Sequence, residues 1–189
     1  TGLPFNSVLA IELNHDKLGG SPPAGNPLVN AGAIATASLI TGQTLDAKWK
    51  NVLDTASAFA GHPLHLNTDV YQSEMASNQH NQAIAVLLHS YGALYADSLE
   101  TVDLYTRECS YDVNAVDLAT MGATLANGGT NPRPHHAVVD ATTSARLLAV
   151  MATAALSITS RAWRFKVGLP GKTGVGGGYV ACFPGQPAL

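Results

Sequence analysis

Charge is the first thing this sequence lacks. Asp, Glu, Lys and Arg make up 12% of its 189 residues, and the balance is −3 with no basic run. That pattern argues against a nucleic-acid partner. Cysteine is nearly absent: Cys109 and Cys182 are too few and too far apart for a disulfide framework or a Cys-x-x-Cys metal site. They read as buried thiols in a reducing compartment, so a cytoplasmic location is expected. No apolar run reaches the roughly 20 residues of a membrane span, so no membrane partner is expected either. Histidines are present but poorly spaced. His62 and His65 share one proline loop and His135-His136 another, and no His/Glu/Cys set has zinc spacing. No metal and no other cofactor is expected.

What is present is apolar: 46% of the residues are hydrophobic, enough for one domain with a real core. Ser7–Leu13 reads as a strand and His15–Gly25 as a loop. Asn26-Pro27 predicts a helix start, with Asn as N-cap and Pro in the first turn, running to about Ile40. Asp46–Ala60 is amphipathic and stops at Gly61. His62–Val70 reads as a loop. Ser73 is expected to cap a long helix to about Tyr91, ended by Gly92. Helices over Leu99–Glu108, Val113–Asn127 (capped by Asp112) and Thr142–Ala155 follow, the last with Leu147, Leu148 and Met151 inward. Arg164–Gly168 and Tyr179–Phe183 read as strands. A block of helices between strands predicts α+β. The expected organisation is one partial domain over 1–189, mainly helical at 26–157 and sheet-forming at 1–25 and 158–189. The start at Thr1 and the stop just after an apolar strand lead us to expect a fragment.

One segment stands out: Val167–Gly178, VGLPGKTGVGGG. Glycine at that density costs conformational entropy and packs nothing, so it suits a place where backbone approaches something closely. Gly171-Lys172-Thr173 matches the end of a phosphate-loop pattern, but that pattern needs glycine at 166, where Lys166 stands. It also needs a following helix, and each glycine of the run costs about 1 kcal/mol there. Two readings remain open. One is a plain glycine-rich hairpin. The other is a Lys-Thr-Gly strand edging a serine-hydrolase site, supplying a cation and a backbone N–H to a developing oxyanion.

Three other places carry polarity in apolar surroundings. Asn30 is flanked by Val29, Ala31 and Ala33, and is either a satisfied core amide or a ligand contact. Glu74, Asn78 and Asn81 have spacings of four and three that put them on one helical face. A carboxylate with two amides suits an α-ammonium or carboxamide group; a solvated first turn, with Glu74 favoured by the helix dipole, is the alternative. Tyr105 and Tyr111 are core residues or cleft phenols, and nothing local decides between these.

Taken together, Asn26–Ala33 (NPLVNAGA), Tyr71–Asn81 (YQSEMASNQHN) and Val167–Gly178 resemble the serine-dependent glutaminase family. Leu3–Ser7 (LPFNS) and Asp117–Gly129 (DLATMGATLANGG) fit as well, in collinear order over almost the whole chain. The resemblance implies a β-lactamase-like fold and hydrolysis of L-glutamine to glutamate and ammonia through an acyl-enzyme. Asn30, Glu74, Asn81 and Tyr105 match positions that hold the substrate. Val175 matches the residue whose N–H forms half the oxyanion hole. Assembly as a homodimer or homotetramer is also implied.

The chain departs from the family pattern in two respects. No serine here has a lysine three residues on, so the family's S-x-x-K nucleophile is expected upstream of Thr1. Where a catalytic-site tyrosine is expected in a Gly-Met-Tyr context, the chain has Ala155-Leu156-Ser157. This exact polypeptide is therefore expected to be inactive alone. A β-lactamase or penicillin-binding relative, and a non-catalytic binding or decayed member, are the alternatives.

Overall fold

The helices and short extended segments organise into two compact units in a computed structural model describing residues 26–154, 166–174 and 176–185. Readings on residues 1–25, Ser157 and Val175 lie outside the described residues. Among these there are seven helices and two strands: α1 Asn30–Ala37, α2 Leu45–Ala60, α3 Thr68–Ser77, α4 Gln79–Ser90, α5 Ser98–Glu108, α6 Ala115–Ala126, α7 Ala141–Ala154, β1 Gly171–Thr173 and β2 Tyr179–Ala181.

The first unit runs to Val52 and resumes over Leu66–Tyr111. Its interior is built by α1, α4 and α5: Ala31, Ile34 and Ala35 meet Ile84, Ala85, Leu88 and Val102, with Ala93 and Leu94 from the turn between helices. Ile34, Ile84 and Leu88 are fully buried. Each such side chain stabilises by roughly 1.5–3 kcal/mol relative to exposure, which is what holds helices this short. Ion pairs trim the edge: Lys48 Nζ lies 2.5 Å from Glu100, and Arg107 bridges Asp103 (2.8 Å) and Asp46 (3.1 Å) beneath the Tyr71 ring.

The second unit comprises Leu53–His65 and the chain from Asp112 onward. Asn131 is fully buried and donates to the carbonyls of Ala58 (3.0 Å) and Phe59 (2.9 Å), satisfying the C-terminal end of α2. Ser144 of α7 donates to Leu125 O at 2.6 Å, joining α7 to α6. The strands pair antiparallel, Lys172 opposite Val180 and Thr173 opposite Tyr179. Beyond them Gly174 N donates to Gly178 O at 2.8 Å, and Gly177 takes φ +90°, a conformation open to glycine.

Several boundaries differ from the sequence expectation, each for a local reason. The first helix starts at Asn30, because the Asn26 side chain accepts from Leu28 N (2.9 Å) in a turn, and Val29 is the extended N-cap. The long helix is two. Asn67 caps α3 by accepting from Val70 N, and the chain breaks at Asn78, with φ −88° and ψ 17°. Asp112 does not cap α6. Its N–H goes to His65 O, and Asn114 caps instead in a reciprocal box with Asp117. Lys166–Pro170 forms no strand; Gly168 has φ +76°, and pairing begins at Gly171. Leu147 is exposed while Leu148 is buried. Cys182 is buried as expected, but Cys109 is exposed. Asp46–Ala60 with its stop at Gly61 (φ +81°) and the helix over Leu99–Glu108 come out within a residue or so of expectation.

Candidate active site

Four helices of the first unit carry the four described candidate residues. Asn30 opens α1, Glu74 lies in α3, Asn81 is in the first turn of α4, and Tyr105 is in the C-terminal half of α5. The link between them is an amide pair: Asn30 Nδ2 donates to Asn81 Oδ1 at 2.8 Å, both residues half-buried. Among the described residues this leaves the Asn30 oxygen as an acceptor and the Asn81 nitrogen as a donor to offer elsewhere. An acceptor and a donor fixed side by side fit a carboxamide, or one acidic and one basic group of a zwitterion.

Tyr105 packs against the core cluster and is largely shielded. Burial first, then the Cys109 side chain and the charges of Glu108 and Glu74, hold its hydroxyl well above the ordinary phenol range. The phenol therefore stays protonated at neutral pH and can donate a hydrogen bond. Glu74 itself is exposed. Glu74 and Asn81 do not share one helix face, because the break at Asn78 separates them; tertiary packing sets their spacing instead.

Asn78 itself is not part of an open polar stripe. It is 5% exposed and fully engaged by its neighbours. Glu108 was not singled out from the sequence, yet burial pushes it up to about 7 beside Tyr105 and Tyr111. Its position three residues after one tyrosine and three before the other was the available signal.

In the second unit, Lys172 lies on β1 opposite Val180, and its Nζ donates to the Thr173 carbonyl. Gly174 and Gly176–Gly178 are exposed, so this part of the segment presents backbone outward. Val175 and Ser157 lie outside the described residues. His62, His65 and His136 line one hollow together with Leu53, Leu64 and Pro134. None of the four candidate residues lines that hollow, and no group of three or more potential metal ligands exists among the described residues. His62 Nε2 sits 2.6 Å from Asp117 and its Nδ1 2.9 Å from Pro63 O, which points to a doubly donating imidazolium. Asn-x-x-Asp over Asn114–Asp117 was the sequence signal for that cap. No described helix is long and apolar enough to cross a membrane.

The chain matches the glutaminase family model over residues 1–189. It is 53% identical over 189 residues to a glutaminase of Brucella canis, covering all of this chain and 58% of that protein. A Shigella boydii glutaminase is 50% identical over 185 residues, with 98% of this chain and 58% of that protein covered. Among solved structures, the probable glutaminase ybaS aligns with a TM-score of 0.90 and 47% identity, over 100% of this chain and 62% of its own. A probable glutaminase of Bacillus subtilis aligns with a TM-score of 0.88 and 30% identity, over 97% of this chain and 57% of its own. The chain thus spans about 58% of the length of the curated relatives it matches. These likenesses bear out the α+β class expected from the sequence, in its β-lactamase-like glutaminase form. The chain belongs to the glutaminase family.

Proposed function

We propose that this chain is part of an enzyme that hydrolyses L-glutamine to L-glutamate and ammonia through a serine acyl-enzyme. A lysine-activated serine of an S-x-x-K motif, which this chain does not contain, attacks the γ-carboxamide carbon. The oxyanion rests on backbone N–H groups including that of Val175; the C–N bond breaks and ammonia leaves. Water then releases glutamate. Asn30, Glu74, Asn81 and Tyr105 hold the amino acid, and Ser157 occupies the position of a further phenol. The chain acts as one partial domain of a cytoplasmic homodimer or homotetramer, without a metal or other cofactor.

The observation that carries this reading is the Asn30–Asn81 bond. Two amides 51 positions apart are paired and half-exposed, and among the described residues the Asn30 oxygen and the Asn81 NH2 are left to offer. Family membership independently supports the reaction class. Coupled measurement of ammonia from glutamine tests it. The complete polypeptide is expected to turn over glutamine, and the isolated 189-residue chain to release none. Acylation of the complete polypeptide by a penicillin probe with no glutamine turnover would overturn the reading.

A further inference from the structure

Three of the candidate substrate residues share a pattern one position on. Glu74 is followed by Met75, Asn81 by Gln82, and Tyr105 by Thr106. The side chains of those three followers converge on one buried amide. Asn78 Nδ2 donates to Met75 Sδ (3.2 Å) and Thr106 Oγ1 (3.4 Å), and Asn78 Oδ1 accepts from Gln82 Nε2 at 2.6 Å. Asn78 sits where α3 ends and α4 begins, in a backbone conformation belonging to neither helix. Its carbonyl also accepts from Gln82 N at 3.0 Å. A buried break in a helix pair needs some reason to adopt one angle rather than another, and this amide ties it to a residue on either side and to α5.

We infer that Asn78 is a positioning residue for the amino-acid substrate. It sets the offset between Glu74 on α3 and Asn81 on α4, and locks both to the helix bearing Tyr105. The inference rests on the proposed glutaminase reading, in which those three residues hold the substrate. Asn78 touches no substrate itself. Its removal acts on how well the holding groups converge, because misplacement by a fraction of an ångström weakens binding made by several groups together.

The experiment uses the complete enzyme. Asn78→Ala is expected to raise the KM for glutamine about tenfold with kcat changed less than about threefold, and to weaken inhibition by L-glutamate in parallel. Gln82→Met and Thr106→Val each remove one tie while keeping volume, and are expected to raise KM about two- to fourfold. A merely structural role would lower the melting temperature and the active fraction without moving KM. Should Asn78→Ala fail to fold, the two single-tie variants decide. Folded variants with wild-type KM overturn the inference while leaving the glutaminase reading intact. A wild-type enzyme that does not turn over glutamine removes that reading, and the inference with it.

Discussion

The first unit and the glycine segment of the second hold their shapes by opposite means. In the first, side chains decide: Ile34, Ile84 and Leu88 are fully buried, and buried polar groups such as Asn78 and Thr106 are bonded. In residues 171–174 and 176–181 the backbone decides, through three residue pairs and a turn containing Gly177 at φ +90°. Even glycine means different things in the two. Gly32 is in α1 because a Cβ there would stand 1.9 Å from Asn26 O. Gly176 has no atom of the described residues within 4 Å of that point. One glycine is demanded by packing; the other leaves space that the fold itself does not fill. Under the proposed reaction, that space is where substrate approaches.

The sharpest way to break this contrast is to add a methyl group to Gly32. Gly32→Ala collides with backbone rather than with a flexible side-chain tip, so it must displace the Asn26–Leu28 turn and the helix start bearing Asn30. A loss of about 3 kcal/mol or more is expected, read as a lower midpoint in urea denaturation. A loss below about 1 kcal/mol would mean that α1 is not packed on this turn.

A smaller effect is expected at the cap of α6. Asp117 accepts from Asn114 N and from His62, and these bonds, in that order, hold its carboxyl below the ordinary range. His62 is raised above its usual 6.5, first by Asp117 and then by the Pro63 carbonyl, with Arg133 opposing. Asp117→Ala should cost about 1–2 kcal/mol near pH 6 through loss of the capping box. The His62 part of that deficit is full below pH 6.5 and fades as pH rises through the raised value. It also fades in acid, as wild-type Asp117 takes up its proton below its usual 3.8. Melting curves of both proteins from pH 3 to 9 check the window, and a deficit constant across neutral pH would remove His62 from the account.

Glu108 gives a gain rather than a loss. Burial raises it from 4.5 to about 7, so the unfolded chain releases its proton first as pH rises, and stability falls between those values. Glu108→Gln is expected to melt higher than wild type above pH 7 and to match it near pH 4.5. An equal gain at both pH values would point to something other than burial of charge. The smallest effect belongs to the second region. Gly176→Ala should change stability by less than about 0.5 kcal/mol. In the complete enzyme it should impair glutamine turnover more than it impairs folding; unchanged kinetics would leave the glycine run as a plain hairpin.

Much of the helical framework was legible in the chain. Periodicity and a following glycine located Asp46–Ala60, and Leu99–Glu108 was also read as a helix. The candidate residues Asn30, Glu74, Asn81 and Tyr105 were visible as polar or phenolic groups within helices. Cap positions were harder. Asn26, Ser73 and Asp112 are each chemically able to cap, but the Asn26 side chain is spent on its own turn, and α6 begins only after Asn114, whose side chain accepts from Val116 N and Asp117 N. At Ser73 the competing cap, Asn67, had already started the helix.

By itself, then, the sequence determined the element types, the apolar faces and the chemistry available, because these depend on spacing and on residue type alone. The glycine run and Lys172-Thr173 belong to that class. Only the tertiary structure decided which of those groups meet. The Asn30–Asn81 pairing, the break at Asn78 with its three ties, and the burial that shifts Glu108 and Tyr105 all join residues on different helices or depend on what packs over them. No period along a chain encodes such meetings; they are settled when the apolar faces of α1, α4 and α5 close on one another and the polar groups must find partners at whatever distance remains.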